Sequence, residues 1–478
     1  MLVRQVLDSS LAQYAYLVGC PRTGQAIVFD PERDIDRYLA LAARHKLTIV
    51  TAADTHIHAD YISGLREFAE RGIPVYASDE GGPDWRYEWL VGSTYPHHLV
   101  KHGDRFTVGN IEFTVLHTPG HTPEHVCYSV VDHGSGATEP IGVITGDFVF
   151  VGDLGRPDLL EQAAGAIGTQ VPGAIQLYHS LEVLRALPEH TQVWPAHGAG
   201  SACGKSLGDV PMSTVGYELR FNPAVRAATT EDAFVDYILS GQPEPPMYFA
   251  RMKRDNRIGP PVIGHVPTLP RIALTAFRAL AGRTDIVVLD TRGRMEFLAA
   301  HLPGALLCEL DYQFVNIAGS YVDEGTPIYL IVDEHRVDHA VRQLLRIGLD
   351  DIRGYVTPDD FAAYQAADGS VSHIDSIDMT ALEARRHAGG VRILDVRGKV
   401  DFDVAHIPGA VNIAHTRLLV RLAELPRDLP LIVHCNSGAR SAHAVALLER
   451  HGYTAVNVAD QFANWKADEP VLATAGRA

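Results

Sequence analysis

Cysteine is scarce in this chain of 478 residues: five occur, at Cys20, Cys127, Cys203, Cys308 and Cys435, and no two form a C-x-x-C pair. An odd and scattered set argues against a disulfide framework and for a reducing cytoplasm. Basic residues are also in short supply, with 41 Lys and Arg against 58 Asp and Glu and a formal charge of −17. A chain so acidic lacks the basic face that displaces counterions from phosphates, which excludes nucleic acid as a partner. Any anionic substrate must then be met by a local cation, either a metal or an arginine. No apolar run reaches the ~18 residues needed to cross a bilayer. The opening MLVRQVLDSSLAQYAYLVG has no charged start, apolar centre and cleavage site in succession, and reads as the first strand of a domain. What remains is the ordinary balance of a globular protein, 46% hydrophobic and 21% charged. Histidine alone is plentiful, at 24 residues.

Three segments separate on pattern. Residues 1–253 alternate short β-rich runs (25–29, 47–52, 111–117 and 141–145) with helical stretches and Gly/Pro-rich loops. That alternation predicts a layered α/β domain with its chemistry at strand ends. Residues 254–270 (RDNRIGPPVIGHVPTLP) are rich in Pro and Gly and read as a linker. Residues 271–372 and 373–478 form an internal repeat, in which VVLDTRGRMEFLAAHLPGA (287–305) lines up with RILDVRGKVDFDVAHIPGA (392–410). Each copy continues into a second apolar strand (328–332 and 431–433) and a helix, the pattern of a small parallel-sheet α/β domain.

The first segment concentrates metal-type residues. Thr55-His56-Ile57-His58-Ala59-Asp60-Tyr61 follows one apolar strand, and His117-Thr118-Pro119-Gly120-His121 follows another. Gly146-Asp147 and Pro195-Ala196-His197 follow two more. Any one of these histidines alone reads best as a strand cap. Four strand ends carrying His or Asp are hard to explain by packing, and imidazole with carboxylate suits zinc or non-haem iron. His117 and His125 read as structural or supporting groups.

H-x-H-x-D together with T-P-G-H-T resembles the metallo-β-lactamase superfamily, and within it the branch of glyoxalase II and the persulfide dioxygenases. The resemblance implies an αββα fold. It also implies two metal positions in the glyoxalase II type, where a second His follows the motif Asp; here that place is Tyr61. In the dioxygenases it implies one ferrous iron per chain, held here by His56, His121 and Asp147, with His58, Asp60, Tyr61 and His197 as supporting residues. Cys203, shortly after His197, could accept sulfur or suffer oxidation as an auxiliary thiol, although buried packing is the plainer reading.

In the last segment, His434-Cys435-Asn436-Ser437-Gly438-Ala439-Arg440-Ser441 joins an apolar strand to a helix. A loop at a helix N-terminus makes an anion cradle, which with Arg440 should hold Cys435 as a reactive thiolate. This loop, with Asp395-Val396-Arg397 and His406-Ile407-Pro408-Gly409-Ala410, resembles a rhodanese sulfurtransferase domain. The resemblance makes Cys435 and Arg440 catalytic and Asn436, Ser437, Gly438, Ala439 and Ser441 the cradle. Asp460-Gln461 departs from the Gly-Gly pair of many members. In the middle copy the loop shortens to Asp333–Asp338 with Glu334 in place of the thiol, so that copy is expected to be silent, and Cys308 to be core.

The domain order is similar to that of persulfide dioxygenase–sulfurtransferase fusions. It implies oxidation of a small thiol persulfide by dioxygen to sulfite, and sulfur transfer at Cys435 to give thiosulfate, in a homo-oligomer without membrane or nucleic-acid partners. The rival expectation is a glyoxalase II-like thioesterase, for which zinc would serve.

Overall fold

The strand Gln13–Cys20 sets the pattern of the first part of the chain. All eight of its residues are buried. Alternation across the pleat sends Tyr14, Tyr16, Val18 and Cys20 into one core, and Ala15 and Leu17 into another. A strand buried on both faces needs layers on both sides, and the structure supplies them. A computed structural model describes residues 1–162, 168–465 and 471–472. It divides into two units, Met1–Val266 with Leu345–Gly348, and Pro267–Leu344 with Leu349–Ala478.

In the first unit, β1 (Leu2–Asp8), β2 (Gln13–Cys20), β3 (Gln25–Phe29), β4 (Thr48–Ala53), β5 (Val75–Ser78) and β6 (His97–Val100) form one sheet in chain order. A second sheet runs in order from β7 (Arg105–Val108) through β8 (Ile111–His117), β9 (Val126–Asp132), β10 (Gly142–Gly146) and β11 (Gln192–Pro195) to β12 (Ser213–Thr214). Phe29 and Ile27 of the first sheet meet Phe113, Val115, Tyr128 and Trp194 of the second in the core between them. Helices Asp36–Arg44 and Leu65–Glu70 cover the first sheet through Tyr38, Ala42, Leu65 and Phe68. Helices Gln170–Ala186 and Glu231–Leu239 cover the second through Leu177, Leu181, Phe234 and Ile238. This is the αββα sandwich. Its parallel pairs align strand ends: Phe29 lies opposite Ala53, and Gly146 opposite Pro195, so the loops that follow β3 and β4, and β10 and β11, start side by side.

The segment expected to be a linker belongs largely to this unit. Helix Phe249–Ile258 runs through its start, and the Ile263 and Gly264 N–H groups donate to the Glu67 carboxylate at 2.6 and 3.0 Å. Composition misjudged it because the buried Phe249 and Met252 lie before it, and within it a polar residue, Asn256, continues the same buried face.

In the second unit, parallel β14 (Leu306–Leu307), β13 (Val287–Asp290), β15 (Ile328–Ile331) and β16 (Ile352–Val356) lie in that order. The second repeat adds β17 (Ser376–Ile377), β18 (Arg392–Asp395), β19 (Ala405–His406), β20 (Val411–Asn412), β21 (Leu431–His434), β22 (Ala455–Val458) and β23 (Val471–Leu472). Its main sheet has the order β20-β18-β21-β22-β17, so the four strands of the first repeat recur in place, and β19 pairs with β23 apart from it. Side chains repeat as well. Asp290 holds Arg292 and Asp395 holds Arg397, each at 2.6 Å, and the two guanidinium groups lie over Phe361 and Phe462 at 4.1 and 3.8 Å. His301 and His406 stack on Phe297 and Phe402 at 4.1 and 4.0 Å. Residues 473–478 of the last segment lie outside the described residues.

Helix Ala439–Arg450 is buried continuously from Ser441 to Leu448, so it has a partner on each side. On one side is its own sheet. On the other is the first repeat: Arg450 donates to the carbonyls of Gly304, Ile286 and Thr284 at 2.7, 2.6 and 3.2 Å, and Glu449 meets His301 at 3.1 Å.

Candidate metal centre and thiol loop

Four strand ends of the first unit converge. His56 follows β4, His121 follows β8, Asp147 follows β10 and His197 follows β11, and all four are buried. His56, His121 and Asp147 each offer a ligand atom within 4.8 Å of the other two, and His121 Nε2 lies 3.4 Å from Asp147 Oδ2. Both carboxylate oxygens of Asp147 are buried without a hydrogen-bond donor. Such atoms are costly unless a cation meets them, so these residues fit a metal ion.

Neighbours set the direction of each ligand. His121 Nδ1 lies 3.0 Å from the Arg156 carbonyl, and His56 Nδ1 lies 2.9 Å from Thr55 Oγ1, which leaves Nε2 of each ring to the centre. Burial, reinforced by neighbouring imidazoles, drives the pKa of both rings well below 6.5, which keeps their lone pairs available. Burial raises the Asp147 and Asp60 carboxyls, each to about 6. His125 is a support: its Nε2 accepts the Asp147 N–H at 3.0 Å, and its Nδ1 meets Thr118 Oγ1 at 2.8 Å. The backbone before Asp147 turns at Gly146, with φ +51°, where a Cβ would lie 2.5 Å from Thr55 Oγ1. His117 sits apart, its Nε2 at 2.8 Å from the Pro123 carbonyl.

The other motif residues divide in two. His58 Nε2 lies 3.2 Å from Asp30 Oδ1 and 3.0 Å from the Tyr61 hydroxyl, while its Nδ1 is buried without a partner. Tyr61 thus turns toward Asp30 and His58. Asp60 instead joins His197 and Cys203, with ligand atoms again within 4.8 Å of one another. The buried Cys203 thiol is pushed well above its usual value by that burial and by Asp147 and Asp60.

Sequence reasoning missed the residues that hold the His-x-His loop. Asp30 accepts the Thr55 N–H at 2.7 Å, Glu124 accepts the Ile57 N–H at 2.9 Å, and the Tyr87 hydroxyl donates to the His56 carbonyl at 2.7 Å. Asn256 donates to the carbonyls of His58 and Tyr61 at 2.9 and 2.7 Å. Asp30 alone carried a signal, an acid at a strand end like Asp147; the others act only through the tertiary fold.

In the second repeat, Cys435 follows β21 and is 1% exposed. The Gly438 N–H donates to its Sγ at 3.2 Å, and Ser441 Oγ lies 3.6 Å away. Burial opposes ionisation, but the N–H groups of Ser437 and Ser441, the Ser441 hydroxyl and the Arg440 charge outweigh it, and the thiol lies below its usual 9.0. Arg440 and Asn436 both face Asp401, at 3.7 and 3.4 Å. Asp460 shapes the neighbouring loop by accepting the N–H groups of Met379 and Gln461 at 3.1 and 2.7 Å, and the Phe462 N–H donates to the Asn436 carbonyl at 2.9 Å. In the first repeat Glu334 stands where the second has Cys435; it is exposed and lies 3.5 Å from Arg271. Cys308 and Cys127 are buried in the packing, and all five cysteines are free.

A family model described as the metallo-beta-lactamase superfamily matches residues 10–197, and one described as a rhodanese-like domain matches residues 378–468. The chain is similar to a solved metallo-beta-lactamase from Staphylococcus aureus, at 40% identity over 75% of this chain and 99% of that one, with a TM-score of 0.66. It is 36% identical over 38% of its length to a cytoplasmic hydroxyacylglutathione hydrolase of Arabidopsis thaliana, of which it covers 63%. It is 27% identical over 48% of its length to the mitochondrial persulfide dioxygenase ETHE1 of Bos taurus, of which it covers 78%. The chain spans 54% and 63% of two of the curated relatives it matches. Among the described residues no helix is long and apolar enough to cross a membrane.

Proposed function

Because the chain belongs to the metallo-beta-lactamase superfamily, with a rhodanese-like domain following, we propose that it oxidises a low-molecular-weight thiol persulfide to sulfite and converts sulfite to thiosulfate at Cys435. One observation carries this reading: the same chain holds a buried His56–His121–Asp147 cluster and a thiol cradled by N–H groups. The likeness to a persulfide dioxygenase supports it, and five free cysteines suit a reducing cytoplasm.

Two imidazoles and one carboxylate suit a single ferrous ion, which when bound supplies the redox chemistry toward dioxygen. The protein's part is to aim His56, His121 and Asp147 through Thr55, the Arg156 carbonyl and His125, and to keep bulk water from a buried centre. The overall oxidation takes one persulfide, one dioxygen and one water, and releases the free thiol, sulfite and two protons. In the transfer, the Cys435 thiolate attacks the outer sulfur of a second persulfide, the old S–S bond breaks, and the carrier thiol leaves. Sulfite then attacks the outer sulfur on Cys435, so thiosulfate departs and the thiolate returns to its cradle. Arg440 and the loop N–H groups stabilise the anion at each stage.

The test is oxygen uptake by anaerobically iron-loaded protein on adding glutathione persulfide, with sulfite and thiosulfate assayed together. Uptake should vanish in His121→Ala, and Cys435→Ser should release sulfite in place of thiosulfate. Thiolester hydrolysis without oxygen uptake would replace this reading by a zinc-type thioesterase, which the likeness to a hydroxyacylglutathione hydrolase favours.

A further inference from the structure

We infer that Lys253 and Trp85 form a subsite for the carrier of the persulfide, in which the ammonium takes a carboxylate of the carrier and the indole ring packs against its chain. The subsite names the substrate class, small carboxylate-bearing thiols. It takes its reaction from the proposed oxidation, while binding of the carrier stands apart from that reading.

Lys253 is a cation without an anion. It lies half-buried on helix Phe249–Ile258. Its Nζ sits over the Trp85 ring, 4.4 Å from the centroid, and among the described residues it makes no hydrogen bond and no ion pair. Burial lowers the pKa of the ammonium to about 8, against the pull of Glu124, so it is still charged at neutral pH. A partly desolvated charge left unpaired is costly, and an incoming anion offsets that cost. The charge is felt at the candidate metal centre, since it acts on His56, on His121 and on Glu124, whose carboxylate holds the Ile57 N–H.

Trp85 is built into the same place. Its loop packs on the residues that follow His121: Gly81 turns there at φ +78°, and a Cβ on it would lie 2.8 Å from the Glu124 nitrogen and 2.9 Å from the Pro123 carbonyl carbon. Helix Phe249–Ile258 fastens the other end of that loop, because the Arg257 carbonyl accepts the Glu88 N–H at 2.8 Å. Lys253 and Arg257, four residues apart, share one face of the helix.

The Trp85 ring also lines a cavity of about 190 Å³ with Gly120, Pro123, Pro172 and Gly173. Gly120 directly precedes His121, so the cavity begins where a candidate metal ligand is delivered. At ~30 Å³ per water this space equals about six waters, enough for an amino-acid-sized group and too little for a nucleotide. Charge points the same way. The guanidinium that acts on Lys253, that of Arg257, is turned to Glu88 at 3.6 Å and to the Asp84 carbonyl at 3.4 Å. One ammonium is what remains, and a point charge of that kind matches a carboxylate better than a phosphate dianion.

The test uses full-length, iron-loaded Cys435→Ser protein kept anaerobic, so that the rhodanese-type thiol takes no part. Binding of glutathione and of glutathione diethyl ester is followed by calorimetry and by quenching of tryptophan fluorescence. Glutathione should bind at least ~10-fold more tightly than the ester. Lys253→Met should erase that difference, Lys253→Arg should keep most of it, and Trp85→Phe should remove the quench. Equal binding of acid and ester, or a difference that survives Lys253→Met, overturns the subsite. A Lys253-dependent grip on coenzyme A as tight as that on glutathione overturns the carboxylate class. An unchanged thermal midpoint in Lys253→Met, expected for a side chain without hydrogen bonds, separates lost binding from lost fold. Oxygen uptake with glutathione persulfide reads the reaction apart from the binding: in Lys253→Met its KM should rise at least ~10-fold while kcat changes by less than about 3-fold. Lysine-dependent binding without uptake sinks only the dioxygenase reading, and uptake indifferent to Lys253 sinks only this inference.

Discussion

In the proposed sulfur transfer Cys435 is the reacting residue, and its charge is a contest. Burial favours the thiol; the loop N–H groups, Ser441 and Arg440 favour the thiolate and win. Because the folded pKa is lowered, the reactive anion persists below the ordinary 9.0 and disappears as pH falls through the lowered value. Arg440→Ala should therefore move the pH midpoint of Cys435 alkylation upward and slow alkylation at neutral pH by about 3- to 10-fold. The rate must be read on the Cys435 peptide by mass spectrometry. Against the effect of its burial, the thiol of Cys20 is also drawn down, to about 7, by hydrogen bonds from Thr23 and Asn110.

At the scale of the element, the cradle depends on how β21 passes into the helix Ala439–Arg450. Gly438 makes that passage at φ +83°, and a Cβ there would lie 2.9 Å from Ala459 Cα and 3.0 Å from the Val458 carbonyl oxygen. Both neighbours are backbone and cannot swing away. Gly438→Ala should cost about 1–2 kcal/mol for the left-handed conformation alone, measurable by denaturant unfolding. It should also slow sulfur transfer by moving the N–H that donates to Sγ. The loops of the candidate metal centre also leave strands paired with a neighbour, and in β10 the register shifts between Ile144 and Gly146, just before Asp147.

At the scale of the molecule, the two repeats are tied to each other. Arg450 spans from the helix of the second to three carbonyls of the first. Arg450→Met should lower the stability of this unit by about 2–3 kcal/mol, seen as an earlier urea midpoint, because those charged hydrogen bonds have no replacement. Much of this organisation was legible in the sequence. The His-x-His-x-Asp run, the Thr-Pro-Gly-His turn and the Cys435 loop are short, and their residues act where they stand in the chain. The residues that brace them were not legible. Asn256 lies 195 positions from Tyr61, whose carbonyl it holds, and no local pattern encodes that reach. The linker was misread for the same reason, since the buried Phe249 and Met252 of its helix precede the segment and Asn256, the buried residue of that helix within it, is polar.

The matching Asp-x-Arg clamps and stacked His-Phe pairs of the two repeats have a consequence for how such a chain changes over time. The first copy has Glu334 where the second has Cys435, yet it keeps the clamps that set its shape. Its Glu334 is exposed beside Arg271 and should tolerate replacement. The turn from His301 to Gly304 should not, since its partner's helix rests there. Change in the first copy is thus limited by its neighbour's need for a seat.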